Sequence, residues 1–308
     1  MKKLLSALIA AALFLLTACG APSATLHQPG ENGYIYTPAD PIHVDGLTTD
    51  TYFAYAYDTD VFAAIEGAKE RIYPASITKL LTALYAIYCL DDLSVEITPG
   101  DELKLVKAGS SIAYIKSHHT LTAEMLIQGM LIPSGNDAAY ALAAGVKELQ
   151  SPSIDGAEAA DEFSRSLNDF GKLLGLCSSS FTVPDGFAGR EHYSSLEDMA
   201  IVAKQAFTDG TIVQYCSMAK ADVIYASGHT NTWINTNLLI DPDSEYYDER
   251  VICGKTGSLD GYYNVVFLAE IKGTRYAIGV FGSTGENARF ADAIRIMDIL
   301  EINDRTAA

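Results

Sequence analysis

The sequence predicts an α+β fold in which an antiparallel sheet, made from both ends of one domain, is covered by helices and interrupted by an inserted all-helical lobe. Two observations carry this. Short β-like runs around tight turns occur near the start of the domain and again near its end, and between them apolar residues recur at helical spacing.

The first segment lies outside that fold. "MKKLLSALIAAALFLLTAC" has two lysines, an apolar run from Leu4 to Leu16 and small residues before Cys19. This is an export signal over residues 1–18, too short to be a membrane-spanning helix with polar flanks. Leu16-Thr17-Ala18-Cys19 resembles a bacterial lipobox, which makes Cys19 the lipidated N-terminus; the plainer alternative is an ordinary signal with an incidental cysteine. A lipid holds a water-soluble body at the extracytoplasmic face of the cell membrane without spanning it. Loss of Lys2 and Lys3 makes the charge of −18 more negative still. So acidic a body, with no basic stripe, excludes nucleic acid as a partner.

Residues 19–47 are rich in Gly, Pro and polar residues and read as a flexible tether, leaving 48–308 as the main domain with its helical lobe at roughly 95–215. "TYFAYAYDTDVFAAIEG" predicts two strands around Asp58-Thr59-Asp60. In "YPASITKLLTALYAIY" Pro74 suits a helix start, and Leu80, Leu81, Leu84, Ile87 and Tyr88 form a wide apolar face. Four further helices follow in "TAEMLIQGMLI", "NDAAYALAAGVKEL", "AADEFSRSLNDFGKLLGL" and "SSLEDMAIVAKQAF", with Thr122 and the Ser194-x-x-Glu197 pattern as N-terminal caps. "NVVFLAEIKGTRYAIGVFGST" is a hairpin turning at Lys272-Gly273. Phe290, Ala293, Ile294, Met297 and Leu300 then give a last helix laid on the sheet.

Cys89, Cys177, Cys216 and Cys253 allow three pairings, of which the sequence selects none; the apolar contexts of Cys89 and Cys253 favour buried free thiols. The histidines show no metal-ligand spacing, His118 and His119 read as a polar loop, and no metal or cofactor is expected.

The chemistry rests on three short motifs. Ser76 and Lys79, three apart, share a face if the helix begins near the serine. Alone, the pair reads more readily as a capping serine with a solvated lysine than as a nucleophile beside a desolvated amine base. Ser217 and Lys220 repeat the spacing. Ser134-Gly135-Asn136 then lies between two apolar helical stretches, and Lys255-Thr256-Gly257 ends a β-like run. Order and context separate this set from its echoes: Ser217 comes after Ser-Gly-Asn, and Ser166-Leu167-Asn168 lies within an amphipathic helix with no turn.

Together the motifs resemble those of penicillin-recognising serine enzymes. The segments "YPASITKLLTA", "GSSIAYIKSHHTLTAEMLIQGMLIPSGNDAAYALA", "FTVPDGFAGREHYSSLEDMAIVA", "NTNLL" and "GKTGSLDGYYNVVFLAEIKGTRYAIGV" narrow the resemblance to the low-molecular-mass D-alanyl-D-alanine carboxypeptidases, peptidase family S11, from about Thr48 to the C-terminus. This implies a β-lactamase/transpeptidase-like fold with a penicillin-binding catalytic domain. The implied reaction removes the terminal D-alanine from peptidoglycan stem pentapeptides through an acyl-enzyme on Ser76, with β-lactam antibiotics as covalent inhibitors and no cofactor. By the same resemblance, Lys79 is the base, kept neutral by burial and by repulsion from Lys255. Ser134 relays a proton to the leaving amine and Asn136 holds the substrate amide. Lys255, Thr256 and Ser258 face the terminal carboxylate, and the N–H groups of Ser76 and Ser258 form the oxyanion hole. Arg289 is either a further carboxylate ligand or a solvated residue at a helix start.

Two other functions fit the same scaffold. A serine β-lactamase of class A needs a deacylating glutamate after the second motif, and no convincing Glu-x-x-x-Asn occurs there. An inactive penicillin-binding sensor or wall-tethering module has no need for a desolvated lysine pair. Departures from the family are Ser258-Leu259 after Lys-Thr-Gly, which bears on substrate preference, and a long "IDPDSEYYDER" whose Tyr246 and Tyr247 either line the cleft or close a loop.

Overall fold

A computed structural model describes residues 41–303 apart from Lys69, Glu70 and Ala188; the export signal, Cys19 and most of the tether lie outside the described residues. The two terminal hairpins form as expected. Strands β1 (Tyr52–Ala56) and β2 (Val61–Glu66) pair at one end, and β8 (Tyr262–Ile271) and β9 (Thr274–Ser283) at the other, with Lys272 and Gly273 both at positive φ in the connecting turn. β1 then pairs antiparallel with β9, and β7 (Val251–Leu259) with β8. One five-stranded sheet results, in the order β2-β1-β9-β8-β7. The strand with Lys255 and Thr256 is therefore its edge.

Side chains alternate between the two faces of each strand, and both faces are covered, so the inner strands are buried along their middle stretches. Toward one side point Tyr52, Ala54, Val265, Phe267, Ile278 and Val280, packed under the last helix, α7 (Ala288–Asn303), through Phe290, Ala293, Met297 and Leu300. Burial of Phe290 or Leu300 contributes about 2 kcal/mol each. Toward the other side point Phe53, Tyr55, Val266, Leu268 and Phe281, which join the core of the helical lobe.

That lobe is arranged around α1 (Thr78–Cys89), in which every residue from Thr78 to Ala86 is buried. Around it lie α2 (Ala123–Leu131), α3 (Asn136–Gln150), α4 (Gly156–Leu174), α5 (Leu196–Ala206) and a short α6 (Gly210–Cys216). Thr122 caps α2, accepting from the Met125 N–H, as expected. The cap of α5 shifts by one residue: Ser195, not Ser194, accepts from the Asp198 N–H, while the Ser194 hydroxyl pairs with Ser179. After α6 the chain forms a hairpin that the sequence reading did not anticipate, β5 (Lys220–Ile224) with β6 (Thr230–Ile234). Its alternation is masked because Ile224 and Ile234 point outward, 65% and 66% exposed. Two residue pairs, Glu96–Ile97 and Leu121–Thr122, form a further small ribbon, β3 with β4.

His119 lies in a loop, as read, but is only 2% exposed; its ring stacks on His229 and meets Tyr225 edge-on. Cys89, Cys177, Cys216 and Cys253 are free; Cys253 is buried as expected and Cys216 with it, whereas Cys89, at the end of α1, is only half-buried and Cys177 is exposed. Tyr246 packs on Phe290 on the α7 side of the sheet, and Tyr247 is 48% exposed.

Candidate active site

Three elements converge where the helical lobe meets the edge of the sheet. The first is the turn before α1. Residues Ala75–Ile77 form a single 3-10 turn after Pro74, and α1 continues directly from it, so Ser76 and Lys79 fall on one side as the spacing predicts. Lys79 is wholly buried, and its Nζ donates to Ser76 Oγ at 2.8 Å, to Asn136 Oδ1 at 2.7 Å and to the main-chain oxygen of Asp185 at 2.8 Å. Three acceptors occupy all three donors of an ammonium group.

The second element is the turn into α3. Ser134 stands at φ +61° and Ala75, beside Ser76, at φ +50°, a left-handed conformation uncommon for residues other than glycine and concentrated at functional sites. Asn136 opens α3, its N–H bonded to the Ser111 oxygen. Asp137 has a role the sequence did not disclose. Its buried carboxylate accepts from the N–H groups of Ala113, Ile115 and Ala138, holding residues 111–115 beside Asn136. An acidic residue in the first helical turn is ordinary, so no pattern marks this one.

The third element is β7. Lys255 is 1% exposed and its Nζ donates to Ser134 Oγ at 2.8 Å and to the Thr256 oxygen at 3.0 Å. Thr256 shares a short hydrogen bond with Thr236, whereas Ser258 is exposed. The strand lies so close to the Pro74 turn that a Cβ on Gly257 would come within 2.6 Å of the Pro74 oxygen. Only glycine permits that approach. Asn264 secures the same junction. It sits where the register of β8 against β9 shifts, and its Nδ2 donates to the Tyr73 oxygen at 2.8 Å. A bulge of this kind re-aims a side chain.

Arg289 is buried, 3% exposed, which removes the reading of a solvated residue. Its Nη1 donates to Ser258 Oγ at 2.9 Å and to the Gly257 oxygen at 3.2 Å, while its only acidic neighbour among the described residues, Glu286, is 3.7 Å away and largely exposed. Burial lowers its pKa to about 10. A buried cation so placed beside Ser258, whose one ion-pair partner among the described residues is exposed and distant at 3.7 Å, suits an anionic ligand.

Burial also lowers the pKa of Lys79 to about 8, against an upward pull from Asp185 and Asp137. Lys255 is driven well below the ordinary lysine value, first by burial and then by the charge of Lys79. The repulsion expected between the two lysines thus falls on Lys255; burial governs Lys79. An amine with a pKa near working pH, 2.8 Å from a half-buried serine hydroxyl, can take a proton from it.

The chain's likeness to known proteins agrees with this geometry. It is 29% identical to D-alanyl-D-alanine carboxypeptidase DacF of Bacillus subtilis over 97% of this chain and 70% of that protein. It is 28% identical to a D-alanyl-D-alanine carboxypeptidase of Streptomyces sp. strain K15 over 85% of this chain and 90% of that one. The crystal structure of the Streptomyces K15 DD-transpeptidase superposes with a TM-score of 0.73 and 26% identity, covering 84% of this chain and 98% of that one. Penicillin-binding protein D2 from Listeria monocytogenes, in its ampicillin-bound form, shares the fold at a TM-score of 0.66 and 21% identity, over 82% and 97% of the two chains. With residues 41–285 matching the family profile, the chain belongs to the D-alanyl-D-alanine carboxypeptidase family of S11 peptidases.

Proposed function

We propose that this protein is a serine D-Ala-D-Ala carboxypeptidase that removes the terminal D-alanine of peptidoglycan stem peptides. Ser76 Oγ attacks the carbonyl carbon between the two D-alanines as its proton passes to Lys79 Nζ. The tetrahedral intermediate places its oxyanion at the N–H groups of Ser76 and Ser258. Collapse breaks the C–N bond, the leaving amine receives a proton by way of Ser134, and water then hydrolyses the ester at Ser76. Asn136 and the edge strand β7 orient the peptide, and Thr256, Ser258 and Arg289 receive its free carboxylate. The observation that carries this reading is the wholly buried Lys79 amine, 2.8 Å from Ser76 Oγ with its pKa lowered to about 8. The test is D-alanine release from a wall pentapeptide by the purified protein and by Ser76→Ala. Release by the parent alone is expected, and equal release by both would overturn the assignment.

The family acts on peptidoglycan outside the cytoplasm, and among the described residues no helix is long and apolar enough to cross a membrane. A lipid on Cys19 is the anchor that the N-terminal sequence supports. Cys19→Ala is then expected to leave the membrane fraction or to remain unprocessed; a processed variant still bound to membranes would require another anchor.

A further inference from the structure

The third partner of the Lys79 amine comes from an irregular segment. Residues 181–187 contain neither helix nor strand, yet they supply the Asp185 oxygen that lies 2.8 Å from Lys79 Nζ. A group that orients a catalytic base must itself be held. Thr82 Oγ1 donates to the Pro184 oxygen at 2.7 Å. Gly186, at φ +79°, lies against the start of α1 so closely that a Cβ would meet the Ala75 oxygen at 1.9 Å and Thr78 Oγ1 at 2.8 Å.

His192 closes the arrangement from behind. It is 2% exposed, and its ring meets Phe181 edge-on at 5.6 Å. Its Nδ1 accepts from the Thr182 N–H at 3.0 Å. The ring proton therefore belongs on Nε2, which is 2.8 Å from Thr78 Oγ1 and donates to it. One imidazole thus bridges Thr78, the residue before Lys79, and Thr182, near the start of the segment that carries Asp185. The charged group facing it is Lys79, and burial followed by that charge lowers its pKa to about 4. A protonated ring would present a donor to the Thr182 N–H, so only the neutral form makes both bonds.

We propose that His192 is a positioning residue for the acylation step: as a neutral Nε2–H imidazole it clamps residues 181–187 onto the start of α1 and so keeps the Asp185 oxygen, and the dry surroundings it completes, on Lys79. This rests on the reading of Lys79 as the base. Without the clamp the segment loosens and water reaches Nζ. Because burial is the dominant cause of the lowered Lys79 pKa, that value then moves back toward the ordinary lysine range.

The test is the rate of acylation by a chromogenic β-lactam from pH 6 to 10, measured on the parent, His192→Ala, His192→Gln and Thr78→Val, with circular dichroism and thermal melts to establish folding. In His192→Ala the rate at pH 7 is expected to fall about tenfold to a hundredfold, as for a displaced catalytic group. Its rising pH limb is expected to move up by about one unit. Thr78→Val leaves the ring intact and removes its acceptor, so its limb moves the same way; His192→Gln, which keeps a donor for Thr78, recovers part of the loss. Folded variants whose limbs coincide with that of the parent would overturn the proposal, whatever their stability. If His192→Ala does not fold, Thr78→Val decides by the same criterion. A parent that is not acylated at all would overturn the proposed function, and this inference with it.

Discussion

Ser76 with Lys79, and Ser217 with Lys220, are the same residue types at the same spacing in two differently built regions. In the first, a 3-10 turn runs directly into α1, the lysine is wholly buried, and its Nζ is bonded to the serine hydroxyl. In the second, α6 ends before Ser217, whose hydroxyl turns back to the Gln214 oxygen, and the chain is extended by Lys220, which is exposed on β5. A three-residue spacing brings side chains together only where the helical path is continuous between them. Ser134 with Asn136 and Ser166 with Asn168 differ in the same manner. Asn136 stands at the start of a helix with its amide oxygen on Lys79, whereas Asn168 lies within α4, its amide bonded to Ser164 and Phe181 as a structural tie.

The widest separation between the two regions is expected in covalent labelling by a fluorescent penicillin. Ser76→Ala abolishes it and Ser217→Ala leaves it intact; mass mapping of the labelled peptide to Ser217 would break the comparison. Next in size is the proposed base. Lys79→Arg is expected to lose at least ~100-fold in acylation rate, since a guanidinium cannot give up its proton near neutrality, while Lys220→Arg changes nothing. The sign with pH follows from the lowered pKa of about 8. Below it Lys79 carries its proton and cannot accept another, so the parent's acylation rises as pH increases through about 8, and folded Lys79→Arg lacks that limb. Stopped-flow acylation across pH distinguishes the outcomes.

The comparison sharpens on the substrate side. With Arg289 buried beside Ser258, turnover of a pentapeptide with an amidated C-terminus is expected to be lower by on the order of a hundredfold, the scale of a lost charge-assisted contact. Equal turnover of acid and amide, in a D-alanine or D-alaninamide release assay, would remove Arg289 and Thr256 from carboxylate recognition. The smallest effect belongs to the second Ser-x-Asn. Asn168→Ala should lower stability by about 1–3 kcal/mol through the loss of its hydrogen bonds while the penicillin label persists. Asn136→Ala should instead slow acylation. Chemical denaturation and labelling rates on both variants test the pair.

The hairpins at both ends of the domain, the helices between them and the three motifs were legible because each depends on local regularities: alternation, helical period and turn chemistry. The β5–β6 hairpin was not, since two exposed isoleucines interrupt its alternation. The burial of Arg289 was equally hidden, because a residue at a helix start is solvated or enclosed according to which strand lies over it. Asp137, Asp185, His192 and Asn264 contribute through contacts that carry no sequence period. Asp185 acts on Lys79 through a main-chain oxygen that any residue would possess. What the amino-acid order determined by itself was thus the terminal hairpins, the main helices and the candidate nucleophile and base, whereas the edge position of the Lys255 strand came from the sheet order. The tertiary structure alone decided how far the Lys79 amine was dried, because desolvation depends on everything packed around a group and not on its neighbours in the chain.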